Sequence, residues 1–467
     1  MGRRSTHAGA AVAAGVLLAG VVSAAPAYAI TNVGCSTAQL IAAINASNGM
    51  VGGDTLALTS YCVYTLADSD GTLPTITQPL TIQGNHATIR RDPAAATQFG
   101  IFEVGGVALT MDTLTVMNGS ASATGAGGVD LGTTDGSLSA TNVNFQGNAA
   151  DDPGKAGAIN AASGTTLSLT GGTVNDNRNG SGPAGIYAQG TTGVTLSKVT
   201  LSRNRSGAYG GGIIIDTSQP AAILNSTIDY NTAKSAGGGL YFTGSNMLTV
   251  IGTTIADNRV TNSVEGGGGV LADSTGNGSV TFQNVRISGN TVTGFDTPTG
   301  LNHFGGGIFL EHGQFTLDSS KVTGNRIIGA DGRGAGIAMQ PESSGSNILS
   351  VQSGTTVTGN LASGRYSKGG GIYVDKNNLN ASLSVSGSHV DANKVTGTGA
   401  VSGGIYNIGG SVGLFSSSVN NNIAPIAPAP GGVWTDTQFS NVFLSTISGN
   451  TPTNCLLSPV IPFGCVG

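Results

Sequence analysis

The sequence predicts an all-β fold, a right-handed parallel β-helix of about 12–14 turns with three strands per turn. The first observation is a series of eleven asparagines, 27 to 35 residues apart, each with an apolar residue three positions earlier. A repeat of this period indicates a stack of similar structural units. Side-chain amides can bond to the backbone and to one another, so we expect a structural ladder rather than a catalytic series. The asparagines are Asn148, Asn177, Asn204, Asn231, Asn258, Asn290, Asn325, Asn360, Asn393, Asn422 and Asn450.

Two further apolar signals in each repeat supply the other strands. One is a glycine element, one or more glycines ending in an aliphatic residue, and the other is an apolar residue eight positions before most asparagines. Short segments rich in Val, Ile and Thr and bounded by Gly, Asn and Ser are typical of strands. The aliphatic residues of the glycine elements are Val129, Ile159, Ile186, Ile213, Leu240, Val270, Ile308, Ile337, Ile372, Ile405 and Val433.

Residues 1–29 have the pattern of a secretory signal peptide. Arg3 and Arg4 precede an apolar stretch, and Ala27-Tyr28-Ala29 fits the small-residue cleavage rule. No later segment is long and apolar enough to span a bilayer. Without this segment the chain has 17 basic and 24 acidic residues, a net charge of −7. We therefore expect a protein that is secreted or attached to the cell surface.

The chain after the signal peptide divides into three parts. We expect an N-terminal cap over 30–78, repeats over 79–450 and a C-terminal cap over 451–467. Ser36-Thr37-Ala38-Gln39 has the form of a capping box, and apolar residues follow at helical spacing. The pattern predicts an amphipathic helix over 36–48 that covers the first turn.

The four cysteines lie in pairs near the two ends, Cys35 with Cys62 and Cys455 with Cys465. An oxidising compartment favours disulfides, and the sequence allows three pairings. Local pairing at each end suits a rod whose ends are far apart. Metal binding, the alternative, calls for closer spacing or histidine partners. We expect neither a metal site nor a cofactor.

Two short motifs carry a resemblance to a known group of proteins. Phe145-Gln146-Gly147-Asn148 matches an FxxN motif, and Gly157-Ala158-Ile159 is close to a GGAI motif. These repeats resemble those of polymorphic outer-membrane-type adhesins and related bacterial right-handed β-helix proteins of the pectate-lyase-like superfamily. The resemblance covers roughly residues 35–450. It implies the fold and an extracellular bacterial protein, whereas the superfamily holds adhesins, lyases, hydrolases and proteins without known activity.

An outward stripe of apolar residues is the main candidate binding surface. Strand alternation turns the residue after each glycine-element aliphatic outward. From Tyr187 to Trp434 that position is apolar in nine consecutive turns, and an exposed apolar strip marks an interaction surface. Aromatic rings with a polar group suit sugar stacking or a protein partner. The alternative is that the preceding loops fold over the stripe and bury it. The candidate binding residues are Tyr187, Tyr241, Phe309, Tyr373, Tyr406 and Trp434.

A second stripe is basic and lies one residue after the asparagines. Its members are Arg178, Arg205, Arg259, Arg326 and Lys394. They suit contact with an anionic polymer such as a uronate or teichoic-type chain, or they are solvated charges that keep a glycine-rich rod soluble. The net negative charge argues against a nucleic-acid partner.

Catalysis of the polysaccharide lyase or hydrolase kind requires paired carboxylates or a base beside cationic residues. The best candidate cluster lies in the loops before four successive glycine elements, where His303 would act as a base and Arg333 or Lys368 would neutralise a uronate. The candidate catalytic residues are Glu265, His303, Asp331, Arg333 and Lys368.

From these observations we expect a non-catalytic, adhesin-like extracellular protein that binds a cell-surface glycan or protein. A lyase or hydrolase of acidic polysaccharides and a structural surface protein without a ligand are the alternatives, because fold does not fix function.

Overall fold

The computed structural model describes residues 30–466 except 123–124, 133–134, 263–264, 275–277, 295–301, 341–345, 377–379 and 426–428. The predicted signal peptide lies outside the described residues. Within them the chain winds into a parallel β-helix with three long sheets, and every strand pairing joins one turn to the next in parallel. The predicted fold class is confirmed.

Sheet A, with 27 strands, takes two consecutive strands from each turn, separated by a tight bend that a left-handed residue such as Lys198 forms. These strands carry the two apolar positions that precede each asparagine. They are Ile30–Val33, Asp54–Leu58, Val63–Leu66, Leu80–Arg91, Ala108–Met117, Ser137–Thr141, Asn144–Gln146, Thr166–Thr170, Thr173–Asn175, Gly193–Ser197, Thr200–Ser202, Ala221–Leu224, Thr227–Asp229, Met247–Ile251, Thr254–Ala256, Ser279–Gln283, Arg286–Ser288, Gly313–Asp318, Lys321–Thr323, Ser346–Gln352, Thr356–Thr358, Asn380–Ser386, His389–Asp391, Ser411–Phe415, Ser418–Asn420, Asn441–Phe443 and Thr446–Ser448.

Sheet B, with ten strands, begins with Ser120–Ala121 and then contains the two or three residues that follow each asparagine from Asn148 to Asn393. These strands are too short for the apolar pattern to reveal. They are Ser120–Ala121, Ala149–Ala150, Arg178–Asn179, Arg205–Ser206, Thr232–Ala233, Arg259–Val260, Thr291–Thr293, Arg326–Ile328, Leu361–Ser363 and Lys394–Thr396.

Sheet C has twelve strands, the first of which begins at Phe102 and each of the others at a glycine-element aliphatic residue. Its strands are Phe102–Glu103, Val129–Asp130, Ile159–Ala161, Ile186–Gln189, Ile213–Asp216, Leu240–Thr243, Val270–Asp273, Ile308–Leu310, Ile337–Met339, Ile372–Asp375, Ile405–Ile408 and Val433–Thr435. A separate pair, Asn302–Phe304 with Asp331–Arg333, lies in the loops between sheets B and C.

The interior is filled by aliphatic residues that recur at the same place in each turn. Ile186, Ile213, Leu240 and Val270 stack in sheet C, and all four are fully buried. Because each turn adds similar side chains over the last, a narrow core continues along the rod.

The asparagines line one inner edge of this core as a hydrogen-bonded ladder. The Oδ1 atom of Asn258 accepts from the backbone and the side chain of Asn231, at 3.0 Å each. Its Nδ2 atom donates to the carbonyl of Ile228 at 2.8 Å and to Oδ1 of Asn290 at 3.0 Å. The pattern repeats from Asn148 to Asn450, and the first ten asparagines are fully buried. The ladder therefore satisfies buried polar groups at every turn.

Both ends of the described chain have distinct structures. The helix spans Thr37–Asn48, and Ser36 caps it by accepting the amide hydrogen of Gln39. Leu40 and Ile44 on its inner face are fully buried against the first strands. The cysteines pair locally, Cys35 with Cys62 and Cys455 with Cys465, which excludes them as metal ligands. None of the helical structure in the described residues has the length and apolarity to cross a bilayer.

Candidate functional site

The outward positions of sheet C form one straight column, as the strand alternation predicts. Consecutive turns pair Tyr187 with Ile214, Tyr241 with Leu271, and Phe309 with Ala338. The column ends in three stacked rings, with 5.6 Å between the centroids of Tyr373 and Tyr406 and 4.3 Å between those of Tyr406 and Trp434.

Loops cover the middle of this column, so the expectation that its aromatic residues are exposed is wrong for the central turns. Phe309 and Tyr373 are each 1% exposed and Tyr406 is 5% exposed, whereas Tyr187, Tyr241 and Trp434 are half-buried. The loops before the glycine elements lie over the column and pair with one another from turn to turn, from Tyr209 through Phe304 to Val401. The ring of Phe304 stacks on that of Phe309 at 4.9 Å. Loop burial, the alternative stated above, therefore describes the central turns.

Two of the predicted catalytic cations form part of this cover. The guanidinium of Arg333 lies over the rings of Phe304 and Tyr373, at 5.6 and 5.4 Å from their centres. It also donates to the Tyr373 hydroxyl at 3.0 Å and contacts Asp331 at 3.3 Å. The ammonium of Lys368 lies 5.5 Å from the centre of the Tyr406 ring. Burial, and then the charge of Arg333, lowers the pKa of Lys368.

The five predicted catalytic residues do not form one site. His303 is 1% exposed, and its ring packs so tightly against Gly294 and Gly329 that neither glycine has room for a Cβ atom. Glu265 lies two turns from Arg333, with its carboxylate 3.4 Å from the Tyr209 hydroxyl. Asp331, Arg333 and Lys368 are half-buried and form part of the polar cover of the column, whereas His303 is buried and cannot contact a polymer in solvent. The structure therefore does not bring these five residues together at one solvent-accessible site.

An open groove remains where the loops are short. It has a volume of about 170 Å³ and is lined by Tyr187, Tyr209, Tyr241, Asp216 and neighbouring residues. Tyr209 is 36% exposed, and its ring centroid lies 5.8 Å from that of Tyr241. Three aromatic rings thus converge beside one carboxylate. Tyr209 escaped the sequence reasoning because it lies in a loop, outside the repeating positions.

Electrostatics in the groove follow from partial burial. Burial raises the pKa of Asp216, and a hydrogen bond from Gln189 opposes that rise. Burial also raises the pKa of Tyr187, and the nearby Asp216 charge adds to the effect. The tyrosine hydroxyls therefore stay protonated at neutral pH and can donate hydrogen bonds.

Acidic residues form a second outward column beside the aromatic one. Each lies three residues after the glycine-element aliphatic, at Asp216, Asp273, Glu311, Asp375 and Asp436. Strand alternation turns this position to the same side as the aromatic column. The sequence therefore carries a signal for this column at the second outward position of each strand, beside the aromatic residues at the first.

Two members of the acidic column, Asp273 and Glu311, lie close to His312. Asp273, Glu311 and His312 each offer a ligand atom, and these atoms lie within 4.8 Å of one another. The Nδ1 atom of His312 is 2.8 Å from Oδ1 of Asp273, so a hydrogen bond already joins two of the three donors. Imidazole and carboxylate together are a donor set that divalent transition metals accept.

The basic stripe lies on sheet B, on a different face from the groove. Strand pairing places Arg178, Arg205, Arg259, Arg326 and Lys394 in one column with Thr232, Thr291 and Leu361 between them. All five basic residues are exposed.

Comparison with known proteins gives one family match. The sequence profile described as "Right handed beta helix region" matches residues 127–318 and 184–424. These two ranges together span more than half of the chain. No curated protein and no solved structure gives a significant match.

Proposed function

The chain belongs to the right-handed β-helix family, and we propose that it is an extracellular protein that binds a neutral polysaccharide in the groove of Tyr187, Tyr209 and Tyr241. Membership in the family fits a surface or polysaccharide-related protein. The signal-peptide pattern and two disulfides support an extracellular location.

The observation that carries the proposal is the convergence of three tyrosines on one carboxylate. A sugar ring has an apolar face that packs on an aromatic ring and an edge of hydroxyls that needs hydrogen-bond partners. The three tyrosines offer faces, and their protonated hydroxyls and the Asp216 carboxylate offer partners. The groove is smaller than the roughly 300–1,000 Å³ of sites for drug-sized ligands, so it suits a single ring of a longer chain.

Acidic residues beside the groove favour a neutral glycan over an acidic one. Asp216 lines the groove, and Glu265 reaches the hydroxyl of Tyr209. A uronate would meet like charges here, which would weaken its binding.

The test is binding of neutral oligosaccharides by isothermal titration calorimetry, after a glycan array has selected them. Replacing Tyr209 or Tyr187 with Ala should each weaken binding about tenfold, because an aromatic contact is worth roughly 0.5–1.5 kcal/mol beyond the area that it buries. Tyr230→Asn is the matched control, since Tyr230 is 57% exposed, lies outside the groove and has a left-handed backbone that asparagine tolerates. Unchanged affinity in folded Tyr187→Ala and Tyr209→Ala proteins would exclude the groove.

A glycoside hydrolase of the inverting kind is the second candidate, and one observation favours it. Asp216 and Asp273 occupy the same column two turns apart, roughly 10 Å between backbones. Inverting enzymes place two carboxyl groups about 6.5–9.5 Å apart, one of them with a raised pKa as general acid. Asp216, whose pKa burial raises, suits the acid. Release of reducing ends from a bound glycan, lost in Asp216→Asn, would establish this activity, and intact glycan after long incubation would exclude it.

A further inference from the structure

The basic column of sheet B is a second surface with features of a binding site. Arg178, Arg205, Arg326 and Lys394 form no ion pair or side-chain hydrogen bond with any described residue. Arg259 makes one weak contact, 3.4 Å from the Thr293 hydroxyl. No acidic residue occupies a position of the column between Ser120 and Lys394. These cations are therefore available to a ligand.

Two other basic residues of the rod, Lys155 and Arg203, are neutralised by neighbouring carboxylates, whereas the five residues of the column are not. Arg203, two residues before Arg205, is also exposed, yet it makes two hydrogen bonds with Asp176, at 2.8 and 2.9 Å. Lys155 pairs with Asp130 at 3.0 Å. Simple solubility would be served by charges at any exposed position, whereas these five share one register.

The spacing of the column is regular. Arg178 and Arg205 are one turn apart, Arg205 and Arg259 two turns, and then Arg326 and Lys394 follow at two turns each. Two turns correspond to roughly 10 Å, and the whole column to roughly 34 Å, at about 4.8 Å per strand. Lys234 is exposed two residues after Thr232 and adds a charge between Arg205 and Arg259. A ligand that matches the column is extended, linear and negatively charged at similar intervals.

We propose that this column binds an extended polysaccharide whose sugar units carry carboxylates, a linear uronate polymer. The planar guanidinium matches a carboxylate with two parallel hydrogen bonds. A concavity of about 390 Å³ lies around Arg178 and Arg205 and is also lined by small polar residues, including Asn179 and Ser206. A sugar ring can lie there between the two cations. Asp151 also lines the concavity and is one acidic charge against two basic ones.

A nucleic-acid ligand fits the column less well. Single strands are held by bases that stack on aromatic rings, and no aromatic residue lines the concavity at Arg178 and Arg205. The net charge of −5, or −7 without the predicted signal peptide, also repels a dense polyanion such as a duplex. A uronate chain carries fewer charges per unit length and needs only the local column.

The test measures binding of sodium polygalacturonate to the intact protein by biolayer interferometry at several salt concentrations. The double variant Arg205→Gln and Arg259→Gln should weaken binding about tenfold and flatten the salt dependence. The control is Arg286→Gln with Lys321→Gln, which removes the same two charges from exposed, adjacent strands of sheet A. It should leave affinity within about twofold, since surface charges off the site contribute little. Circular dichroism checks that both variants fold.

Four results would overturn the proposal. These are no binding of polygalacturonate, equal weakening in the column and control variants, equal binding of the fully methyl-esterified polymer, and binding of inorganic polyphosphate or nucleic acid in place of the uronate. The outcome is separable from the proposed function, because Tyr209→Ala alters the groove on sheet C and should leave polygalacturonate binding unchanged.

Discussion

Arg333 donates to the hydroxyl of Tyr373 at 3.0 Å while its guanidinium carbon lies 5.4 Å from the centre of the same ring. The Tyr373 hydroxyl in turn contacts the Asp375 carboxylate at 2.8 Å. Arg333 thus joins the loops that cover the aromatic column to Tyr373 on sheet C. Arg333, which the sequence suggested as a group that neutralises a uronate, therefore has a structural role.

Replacing Arg333 with Ala should therefore destabilise the protein by about 2–4 kcal/mol, because Asp331 loses its ion-pair partner and the Tyr373 hydroxyl keeps only its contact with Asp375. Urea unfolding measures the change. Arg365→Ala is the control, since Arg365 makes a similar contact over Tyr366 but both residues are exposed. A loss no greater than that of the control would contradict the assigned role.

Asn258→Ala should lower the free energy of unfolding by about 3–5 kcal/mol, because several buried hydrogen-bonding groups in the turns above and below Asn258 lose their partners. Asn450→Ala should cost less, since Asn450 is 7% exposed and lies in the last turn, where the chain can fray. Hydrogen exchange of amides in the neighbouring turns locates the damage. Equal losses of unfolding free energy in Asn258→Ala and Asn450→Ala would contradict this, because they would show that asparagines on both sides add nothing to the stability of a ladder position.

The stability of the groove should depend on pH through Asp216. Burial raises its pKa above the ordinary value of 3.8, so the folded state favours the neutral acid. The associated stability is present below pH 3.8 and is lost as pH rises through the folded-state pKa. Asp216→Asn should consequently be more stable than wild type at pH 7 and equal to it near pH 3, as thermal melts across this range would reveal. A variant less stable than wild type at pH 7 would refute this.

Asp68 should show the opposite pH dependence. Hydrogen bonds from the Thr97 side chain, and from the backbone of Ala96 and Thr97, lower its pKa to about 2. Its contribution is present above the ordinary value of 3.8 and is lost as pH falls through about 2. Asp68→Asn should lower the melting temperature at pH 7, and the difference should shrink below pH 3.8. A pH-independent difference would point to lost packing instead.

The fold was predictable because its signals are local and repeated. Each turn carries its own asparagine and glycine element, so a single pattern fixes strand order and register eleven times over. The helix was predictable from the cap at Ser36 and the spacing of Leu40 and Ile44. The short strands of sheet B went unnoticed because two or three residues cannot show a period.

The site was less predictable because it depends on loops that do not repeat. Phe304 covers Phe309 from a loop whose length is peculiar to its turn, and no periodic signal places it there. Tyr209 likewise reaches the groove from a loop that does not repeat, so no periodic signal places it there. The side on which Tyr187 and Tyr373 emerge follows from strand alternation, but whether a loop lies over them depends on packing between distant turns.

The asparagine ladder makes the same contacts at every turn, so the length of the rod can change by whole turns. Residues 205–231 form one complete 27-residue circuit that ends in its own asparagine. Duplicating that circuit would insert one step without altering the amide contacts on either side. The groove on sheet C and the basic column of sheet B would keep their side chains, while the rod became longer by the height of one turn. Length in this molecule is thus a quantity that gene duplication can adjust in whole units.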